Sequence, residues 1–212
     1  MRRWVLRSLL KAGVWGSALD TLLSSLRTCI RDEGGDVFPV SPIEAAMGRL
    51  GKSLRFDEDE IEDLVEAQYG SRNVFPLLSL LYPGVNVRNE IHEDHIFPRK
   101  LFTTARLRRA GVPEKSIETF RQSMNGLPNL QLLEGPVNTQ KSDSLPMDWA
   151  STRYPQRRAL GMYLSSHDMH DLPRDIKSFL AFYRARRHRM AVRLRELLGV
   201  EKAQSGAAQQ AA

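Results

Sequence analysis

Residues 91–98 read IHEDHIFP, residues 127–133 read LPNLQLL and residues 138–142 read NTQKS, and the architecture of the chain is organised around these three segments. The first is a short apolar run that ends in an Asp-His pair before Pro98. Asn129 opens the second apolar run, and the third places a lysine three residues after an asparagine. Together they suit metal-assisted cleavage of a phosphodiester, because that reaction needs a base, a cation and groups that position both.

The Asp-His pair supplies the first two candidate residues. His95 is the candidate general base, since an imidazole titrates near neutrality and readily takes a proton from water at physiological pH. Asp94 is the candidate metal ligand beside it. Successive side chains of a strand alternate faces, but this alternation can relax at the end of a strand before Pro98. The sequence therefore allows Asp94 and His95 to flank one phosphate.

The third segment predicts a helix that supplies two more site residues. The Gly-Pro pair at residues 135–136 favours a helix that begins at Val137, which places Asn138 and Lys141 on one face of its first turn. The amide oxygen of Asn138 is a hard, neutral ligand that complements Asp94 on a Mg²⁺ or Mn²⁺ ion. Lys141 is then the candidate contact to the phosphate.

Two residues near these have less direct roles. Asn129 precedes an apolar run, where its side chain suits hydrogen bonding to the backbone of the His95 loop better than metal ligation. His92 should share a strand face with Asp94. It is therefore a candidate extra metal ligand or a residue that orients one, with a packed or solvated histidine as the alternative.

The three segments resemble the motifs of HNH endonucleases, which follow the pattern Asp-His-Ile-x-Pro, Asn-Leu-x-x-Leu and Asn-x-x-Lys-Ser. That resemblance implies a ββα-metal fold, in which a hairpin and a following helix surround one divalent cation, Mg²⁺ or Mn²⁺. It also implies roles for five residues. His95 would be the general base, Asp94 and Asn138 the metal ligands, Asn129 the central motif asparagine and Lys141 a cation on the phosphate side.

The flanking sequence at residues 1–90 and 179–198 resembles the C-terminal half of GmrSD-like and SspE-like restriction proteins, which defend bacteria against phage DNA. In that family a separate N-terminal region, similar to a ParB-type nucleotidase, senses modified DNA or nucleotide and controls the nuclease half. The sequence contains neither such a region nor a Gly-rich loop of P-loop type. We therefore expect a sensor partner or a missing N-terminal region. The family often has glycine where Pro128 stands, which affects the geometry of that loop.

Zinc chemistry is not expected. The run at residues 92–95 is one residue short of His-Glu-x-x-His and does not place two histidines on one helix face with a glutamate between them. Cys29 is the only cysteine, so a Cys-x-x-Cys zinc cluster cannot form. It is expected to be a small buried apolar residue, and a single cysteine favours a reducing, cytoplasmic location.

The charge balance favours a polyanionic partner. The formal net charge is +6, which steers association with DNA and makes it salt-sensitive. The candidate DNA contacts between the first two motifs are Arg99, Lys100, Arg106, Arg108 and Arg109, with Lys115 and Arg121 beyond them. The arginines of the last long helix are either a solvated face or further DNA contacts, and the acidic residues at 57–66 either start a helix or meet a partner.

The predicted fold class is mainly α (α+β), with helical lobes around a small ββα-metal nuclease core. We expect a helical lobe at residues 1–85, the core at 86–145 with one or two helices inserted between Pro98 and Arg121, a C-terminal helical region at 146–200 and a disordered tail at 201–212. Capping signals occur at residues 41–44 and 57–60, and a long helix is expected at 173–198. No apolar stretch is long enough to suggest a membrane protein.

The sequence thus predicts a metal-dependent DNA endonuclease that nicks or cuts DNA. The alternative is a DNA-binding or regulatory subunit whose nuclease site is inactive without a sensor partner. A purely structural helical scaffold would require all three motifs to be accidental. No motif that reads bases stands out, so sequence specificity is not predicted.

Overall fold

The structure is a computed structural model that describes residues 1–84 and 89–200. These residues form a mainly helical protein with one two-stranded antiparallel sheet, which confirms the predicted mainly α (α+β) class, while the ββα-metal core stays a prediction. The strands are β1 (Ile91–His95) and β2 (Leu130–Glu134). The helices are α1 (Arg2–Leu10), α2 (Leu19–Glu33), α3 (Val40–Arg49), α4 (Glu58–Val65), α5 (Val74–Leu81), α6 (Thr104–Arg109), α7 (Glu114–Ser123), α8 (Gly135–Lys141), α9 (Pro146–Arg153), α10 (Arg157–Ser166) and α11 (Phe179–Leu198). The predicted tail at 201–212 lies outside the described residues.

The sheet lies between two apolar clusters. In its register Asp94 is opposite Gln131 and His95 is opposite Leu130. Leu130 and Leu132 belong to one cluster and Leu133 to the other, as expected when successive side chains point to opposite faces. Two strands alone are marginally stable in water, so this sheet depends on the helices that cover both of its faces.

The first apolar cluster combines residues from distant parts of the chain. It contains Leu6 of α1, Leu64 of α4, Leu78 of α5 and Leu194 of α11, packed with residues of β2. The predicted N-terminal lobe, nuclease core and C-terminal region therefore bury one another's side chains. Each buried leucine contributes about 1.5–3 kcal/mol, so α11 is part of what holds the sheet in place.

The second cluster fixes the chain where it leaves β1. Phe97 is fully buried, and its ring centroid lies 5.3 Å from that of Phe179 and 5.9 Å from that of Phe182, both on α11. Phe102 and Phe120 pack against the same group. The backbone immediately after His95 is thus anchored by an aromatic core.

A third cluster joins α1, α2 and α3. Trp4, Leu22, Ile43 and Met47 form its centre. Cys29 is also buried here, which confirms its expected packing role. This part of the molecule is remote in sequence from the three motifs.

Helix boundaries follow the capping chemistry in one case and depart from it in another. Asp57 and Glu60 form a capping box at the start of α4, as predicted. The signal at Ser41 was wrong, because α3 begins at Val40 after Pro39 and has no side-chain cap. Two helices, α6 and α7, occupy the predicted insertion between the strands.

Two predicted helices also begin elsewhere. The last helix starts at Phe179 rather than near residue 173, since the preceding residues form turns in which Asp175 accepts a hydrogen bond from the Ser178 amide. Helix α8 starts at Gly135, two residues earlier than predicted, with its proline in the first turn. Among the described residues, no helix is long and apolar enough to cross a membrane.

The acidic face of α4 meets the arginine-rich face of α11. Arg195 bonds to Glu58 and lies 2.9 Å from Glu62, and Arg187 lies 2.8 Å from Glu62 and 2.6 Å from Glu66. The acidic run therefore starts a helix, and its carboxylates pair with arginines of the same chain. Contact with another molecule stays a prediction. These two arginines are occupied by internal ion pairs rather than presented on a solvated face.

Candidate functional site

Asp94 forms an ion pair with a buried lysine. Its Oδ2 lies 2.9 Å from the Nζ of Lys141, the last residue of α8. The same ammonium also donates to the backbone carbonyl of His95. Only 1% of the Lys141 residue surface is exposed, and burial lowers the pKa of Lys141 while the Asp94 carboxylate opposes that shift. The lysine thereby ties α8 to the end of β1.

This arrangement bears on the expectation that Lys141 contacts a phosphate. The ammonium is held inward, between a carboxylate and a carbonyl, because burying it without such partners would cost several kcal/mol, about the penalty expected for an unpaired buried ion. Contact with a phosphate stays a prediction. The pair itself is neutral, since one positive and one negative charge face each other.

Two residues that the motif pattern does not specify also hold Asp94 in place, one directly and the other through the first. Gln131, its neighbour across the sheet, donates from Nε2 to Asp94 Oδ2 at 2.9 Å. The hydroxyl of Tyr163, from α10, donates to Gln131 Oε1 at 2.7 Å. Neither partner was predicted, because Gln131 reads as one residue of an apolar strand and Tyr163 as a core residue of a helix.

His95 is nearly buried on the other face of the strand, with 7% of its surface exposed. Its Nε2 lies 3.0 Å from Asn125 Oδ1, and its ring centroid lies 4.6 Å from that of Tyr69. An amide oxygen only accepts, so Nε2 carries the proton and Nδ1 keeps its lone pair. Burial lowers the pKa of His95 and outweighs the hydrogen bond to Asn125 and the charge of Asp94, which both raise it. The ring is therefore suited to accept a proton at neutral pH.

The surroundings of His95 are built from two segments that meet away from the motifs. The amide of Tyr69 donates to the carbonyl of Asn125 at 2.8 Å, and the amide of Leu127 donates to the carbonyl of Ala67 at 2.9 Å. These bonds hold the turn after α4 against the turn that leads into β2. Sequence reasoning missed Asn125 and Tyr69, since an Asn-Gly pair alone indicates only a turn.

Asn129 has the structural bonding that its position predicts. Its Oδ1 accepts from the amide of Phe97 at 2.9 Å, and its Nδ2 donates to the carbonyls of Phe97 at 3.2 Å and Met124 at 2.8 Å. The residue is fully buried. It therefore clamps the chain just after His95 to the turn before β2. Pro128, where the family that the motifs resemble often has glycine, lies within this turn.

The two remaining metal candidates differ in their surroundings. Asn138 is half-buried on α8, three residues before Lys141 and thus on the same helix face. The side chain of His92 is 44% exposed, and its Nε2 lies 3.3 Å from Glu90 Oε1. Its described polar contact is therefore with Glu90 and not with Asp94.

Asp94 and His95 have separate sets of partners. Asp94 bonds with Lys141 and Gln131 on one face of the sheet, whereas His95 contacts Asn125 on the other. The strand alternation, which the sequence allowed to relax before Pro98, therefore persists through His95, which still pairs in the sheet. A phosphate could meet both side chains only around the end of the strand.

The donor set fits a Mg²⁺ or Mn²⁺ ion better than a metal that needs a complete protein cage. Among the residues that the structure describes, no group of three or more His, Cys, Asp and Glu side chains converges. Mg²⁺ is usually held by one or two carboxylates together with waters and substrate phosphates. Asp94 supplies one such carboxylate, and the Asn138 amide, on the helix that follows β2, stays a predicted second ligand.

The candidate DNA contacts follow β1 directly, in a turn at Arg99–Phe102 and in α6. Arg99, Lys100 and Arg121 line a cavity of about 490 Å³ together with Phe102, Thr103, Thr104 and Met124. Lys100 and Arg106 lie 4.0 and 3.8 Å from Asp143, and Arg108 is paired with Glu114. Arg109 ends α6, whose last turn is basic. This basic surface begins four residues after His95.

Comparisons with known proteins add no assignment to this geometry. No protein-family model matches the sequence, and no curated protein is significantly similar to it. The proposed chemistry of the site therefore rests on the geometry of its own residues.

Proposed function

We propose that this protein is a metal-dependent DNA endonuclease of the HNH type, which hydrolyses phosphodiester bonds. The observation that carries the proposal is the position of Asp94, His95, Asn129 and Lys141 around one small sheet and the helix that follows it. Asp94 and His95 end β1, and Asn129 and Lys141, more than thirty positions further along the chain, both bond to the backbone or side chains at that end of the strand. A helical scaffold with accidental motifs would not be expected to bring them together.

His95 is proposed to take the proton from the attacking water at Nδ1. Its hydrogen bond to Asn125 leaves that nitrogen unprotonated, and its lowered pKa keeps the ring neutral at physiological pH. General-base catalysis of this kind contributes about 10²–10⁴-fold to the rate. Asn129 supports the reaction indirectly, because it fixes the backbone that follows the base.

Asp94 and Asn138 are proposed to hold the divalent cation. When bound, the cation neutralises charge that develops on the phosphate and on the leaving oxygen. Lys141 compensates the carboxylate before any cation arrives and keeps α8 against β1. Because the Asp94 and Lys141 pair is neutral, a bound dication leaves the site with a net positive charge, which suits a phosphodiester.

DNA is the proposed substrate because of the basic surface that continues from the site. Arg99, Lys100, Arg106, Arg108 and Arg109 stand on the turn and helix just after β1, where they would follow the phosphates beside the cleaved bond. The proposed setting is a cytoplasmic restriction or anti-phage system, which rests on the family resemblance alone.

A second candidate is a subunit whose nuclease site is inactive until a sensor partner binds. The observation that favours it is the closed state of the site: His95 is 7% exposed beneath Tyr69, and Asp94 is already bonded to an ammonium. A partner or the DNA itself would then have to move Tyr69 or release Asp94 before cleavage.

Plasmid cleavage tests the proposal and separates the two candidates. Purified protein is incubated with supercoiled DNA and Mg²⁺ or Mn²⁺, beside EDTA and the variants Asp94→Ala and Asn138→Ala. Nicked or linear product that needs metal and is lost in Asp94→Ala supports the endonuclease. DNA binding without cleavage under all conditions would instead support the partner-controlled subunit.

A further inference from the structure

Two buried side chains lead from the core to the candidate metal ligand, Asp94. Tyr163 donates to Gln131 at 2.7 Å, and Gln131 donates to Asp94 at 2.9 Å. The exposed fractions are 7% for Tyr163 and 1% for Gln131, so both bonds are shielded from water. Gln131 occupies a variable position of the second motif, and Tyr163 lies outside all three.

The chemistry of these groups allows one direction for the chain. An ionised carboxylate only accepts, so the amide of Gln131 has to present its NH₂ group to Asp94 and its oxygen to Tyr163. The hydroxyl of Tyr163 then has to donate, and burial raises the pKa of Tyr163, which keeps that proton in place. Tyr163 thereby fixes the orientation of the amide, and the amide fixes the carboxylate.

Both described donors to Asp94 bind the same atom. Gln131 Nε2 and Lys141 Nζ each lie 2.9 Å from Oδ2. Two donors on one oxygen hold the carboxylate in a single rotamer and direct Oδ1 away from them. A carboxylate held in advance loses less side-chain entropy when it binds a cation.

The position of Tyr163 is itself fixed by packing. Its ring stacks on that of Tyr154 at 4.7 Å between centroids and meets Trp149 edge-on at 5.8 Å. These contacts involve the ring and not the hydroxyl. Removing only the oxygen should therefore leave the packing of α9 and α10 unchanged.

We propose that Gln131 and Tyr163 are positioning residues for Asp94 that set the affinity of the site for its divalent cation. This inference rests on the proposed function, because it takes Asp94 as a metal ligand. Partners behind a metal ligand typically change metal affinity by about 10–100-fold when they are mutated. Tyr163 and Gln131 should act as one unit, since Tyr163 reaches Asp94 only through the amide.

The test is Mn²⁺ binding to the full chain, measured by calorimetry without DNA. The variants are Tyr163→Phe, Gln131→Met, the double variant and Asp94→Ala. Tyr82→Phe is the matched control, because its hydroxyl is also buried and also bonded, at 3.2 Å to Asp168, but has no part in this chain. Thermal unfolding of every variant confirms that it is folded under the assay conditions.

We expect Tyr163→Phe and Gln131→Met each to weaken Mn²⁺ binding by about tenfold or more, and Tyr82→Phe to leave it unchanged. In the Gln131→Met background, Tyr163→Phe should add almost nothing. Unchanged affinity in folded Tyr163→Phe, or equal losses in Tyr163→Phe and Tyr82→Phe, would overturn the positioning role and leave the nuclease proposal standing. Absence of Mn²⁺ binding by the unmodified protein would instead contradict the proposed metal site itself.

Discussion

Asn125 determines which ring nitrogen of His95, the proposed base, keeps its lone pair. The hydrogen bond at 3.0 Å between Nε2 and the amide oxygen places the ring proton on Nε2. It also fixes the rotation of the ring, which stands against Tyr69. Because proton transfer requires the base to be held within hydrogen-bonding reach of the water, this contact should matter for rate more than for DNA binding.

Replacing Asn125 with alanine should therefore slow cleavage. We expect the single-turnover rate to fall by about tenfold to a hundredfold, since small displacements of a catalytic group have effects of that size. Asn89→Ala is the control, because Asn89 makes an exposed hydrogen bond to Glu134. An unchanged rate in Asn125→Ala would show that Asn125 does not orient the base.

At the scale of single residues, the sequence predicted those whose role depends on short spacing. Asn129 was expected to bond the backbone after His95, and its bonds to Phe97 confirm it. Gln131 and Tyr163 were not predicted, because Gln131 contacts Asp94 from the opposite strand, and Tyr163, which contacts Gln131, lies on a helix 69 positions beyond Asp94. No spacing in the sequence records such a contact.

Among the elements, α11 supports the sheet through one buried cation. Arg186 is fully buried, and its Nη1 donates to the carbonyls of Pro128 and Leu130, each at 2.8 Å. Its Nε donates to the carbonyl of His167 at 3.1 Å. The helix thus satisfies the carbonyls on either side of Asn129 in the turn that leads into β2.

Arg186→Met should destabilise the protein by at least about 2 kcal/mol, because it leaves buried carbonyls without donors. Chemical unfolding measures the change. The matched control is Arg195→Met on the same helix, whose partners Glu58 and Glu62 are at the surface. Surface pairs contribute little, so the control should lose far less stability. Equal losses would mean that Arg186 is no more important than a surface arginine.

His167, which follows α10 and accepts a hydrogen bond from Arg186 of α11, should make the fold sensitive to acid. Burial lowers the pKa of His167, the backbone bond to Tyr163 opposes that shift, and the cations Arg186 and Arg193 lower the pKa further while Asp168 raises it. Below about pH 6.5 the unfolded chain therefore binds a proton more readily than the folded one. The free energy of unfolding should fall as the pH drops through this range, until the folded histidine is also protonated.

His167→Gln should reduce this dependence. Chemical unfolding at pH 7.5 and pH 5 gives the loss of stability for each protein, and we expect a smaller loss in the variant than in the unmodified chain. His170→Gln, at an exposed position, serves as the control. A loss in His167→Gln as large as that in the unmodified protein would exclude His167 as a source of the acid sensitivity.

The start of a helix was predicted correctly where neighbouring side chains cap it. The capping box at Asp57 is a local signal, and the structure has it. The partners of α11 were not predicted, because an arginine-rich helix reads the same whether it faces solvent or the acidic face of α4. Only the fold places Arg187 and Arg195 against Glu62.

For the molecule as a whole, the net charge of +6 and the basic surface beside β1 predict salt-dependent DNA binding. Arg99→Ala should reduce the slope of log affinity against log salt concentration by about one, the value for one phosphate contact. Binding is measured by fluorescence anisotropy on an oligonucleotide duplex. Arg27→Ala, on the exposed surface of α2, is the control. Equal slopes for Arg99→Ala and the unmodified protein would remove Arg99 from the DNA surface.

The mainly helical class was confirmed, whereas the way its parts pack was not predictable. The prediction divided the chain into a helical lobe, a core and a C-terminal region that follow one another. In the structure, Leu6, Leu78 and Leu194 from the first and last of these regions lie in one apolar cluster with residues of β2. Periodicity identifies the apolar face of a helix but not the element that the face will meet. The site is thus held by residues from both ends of the chain.

His95 is the proposed base of a metal-dependent nuclease, so replacing it should remove cleavage without removing DNA binding. The single-turnover rate of plasmid cleavage is compared for the unmodified protein, His95→Ala and the control His188→Ala, with DNA binding measured in parallel. We predict that His95→Ala loses cleavage by about a hundredfold or more while it still binds DNA, and that His188→Ala cleaves normally. Full metal-dependent cleavage by His95→Ala would exclude His95 as the base.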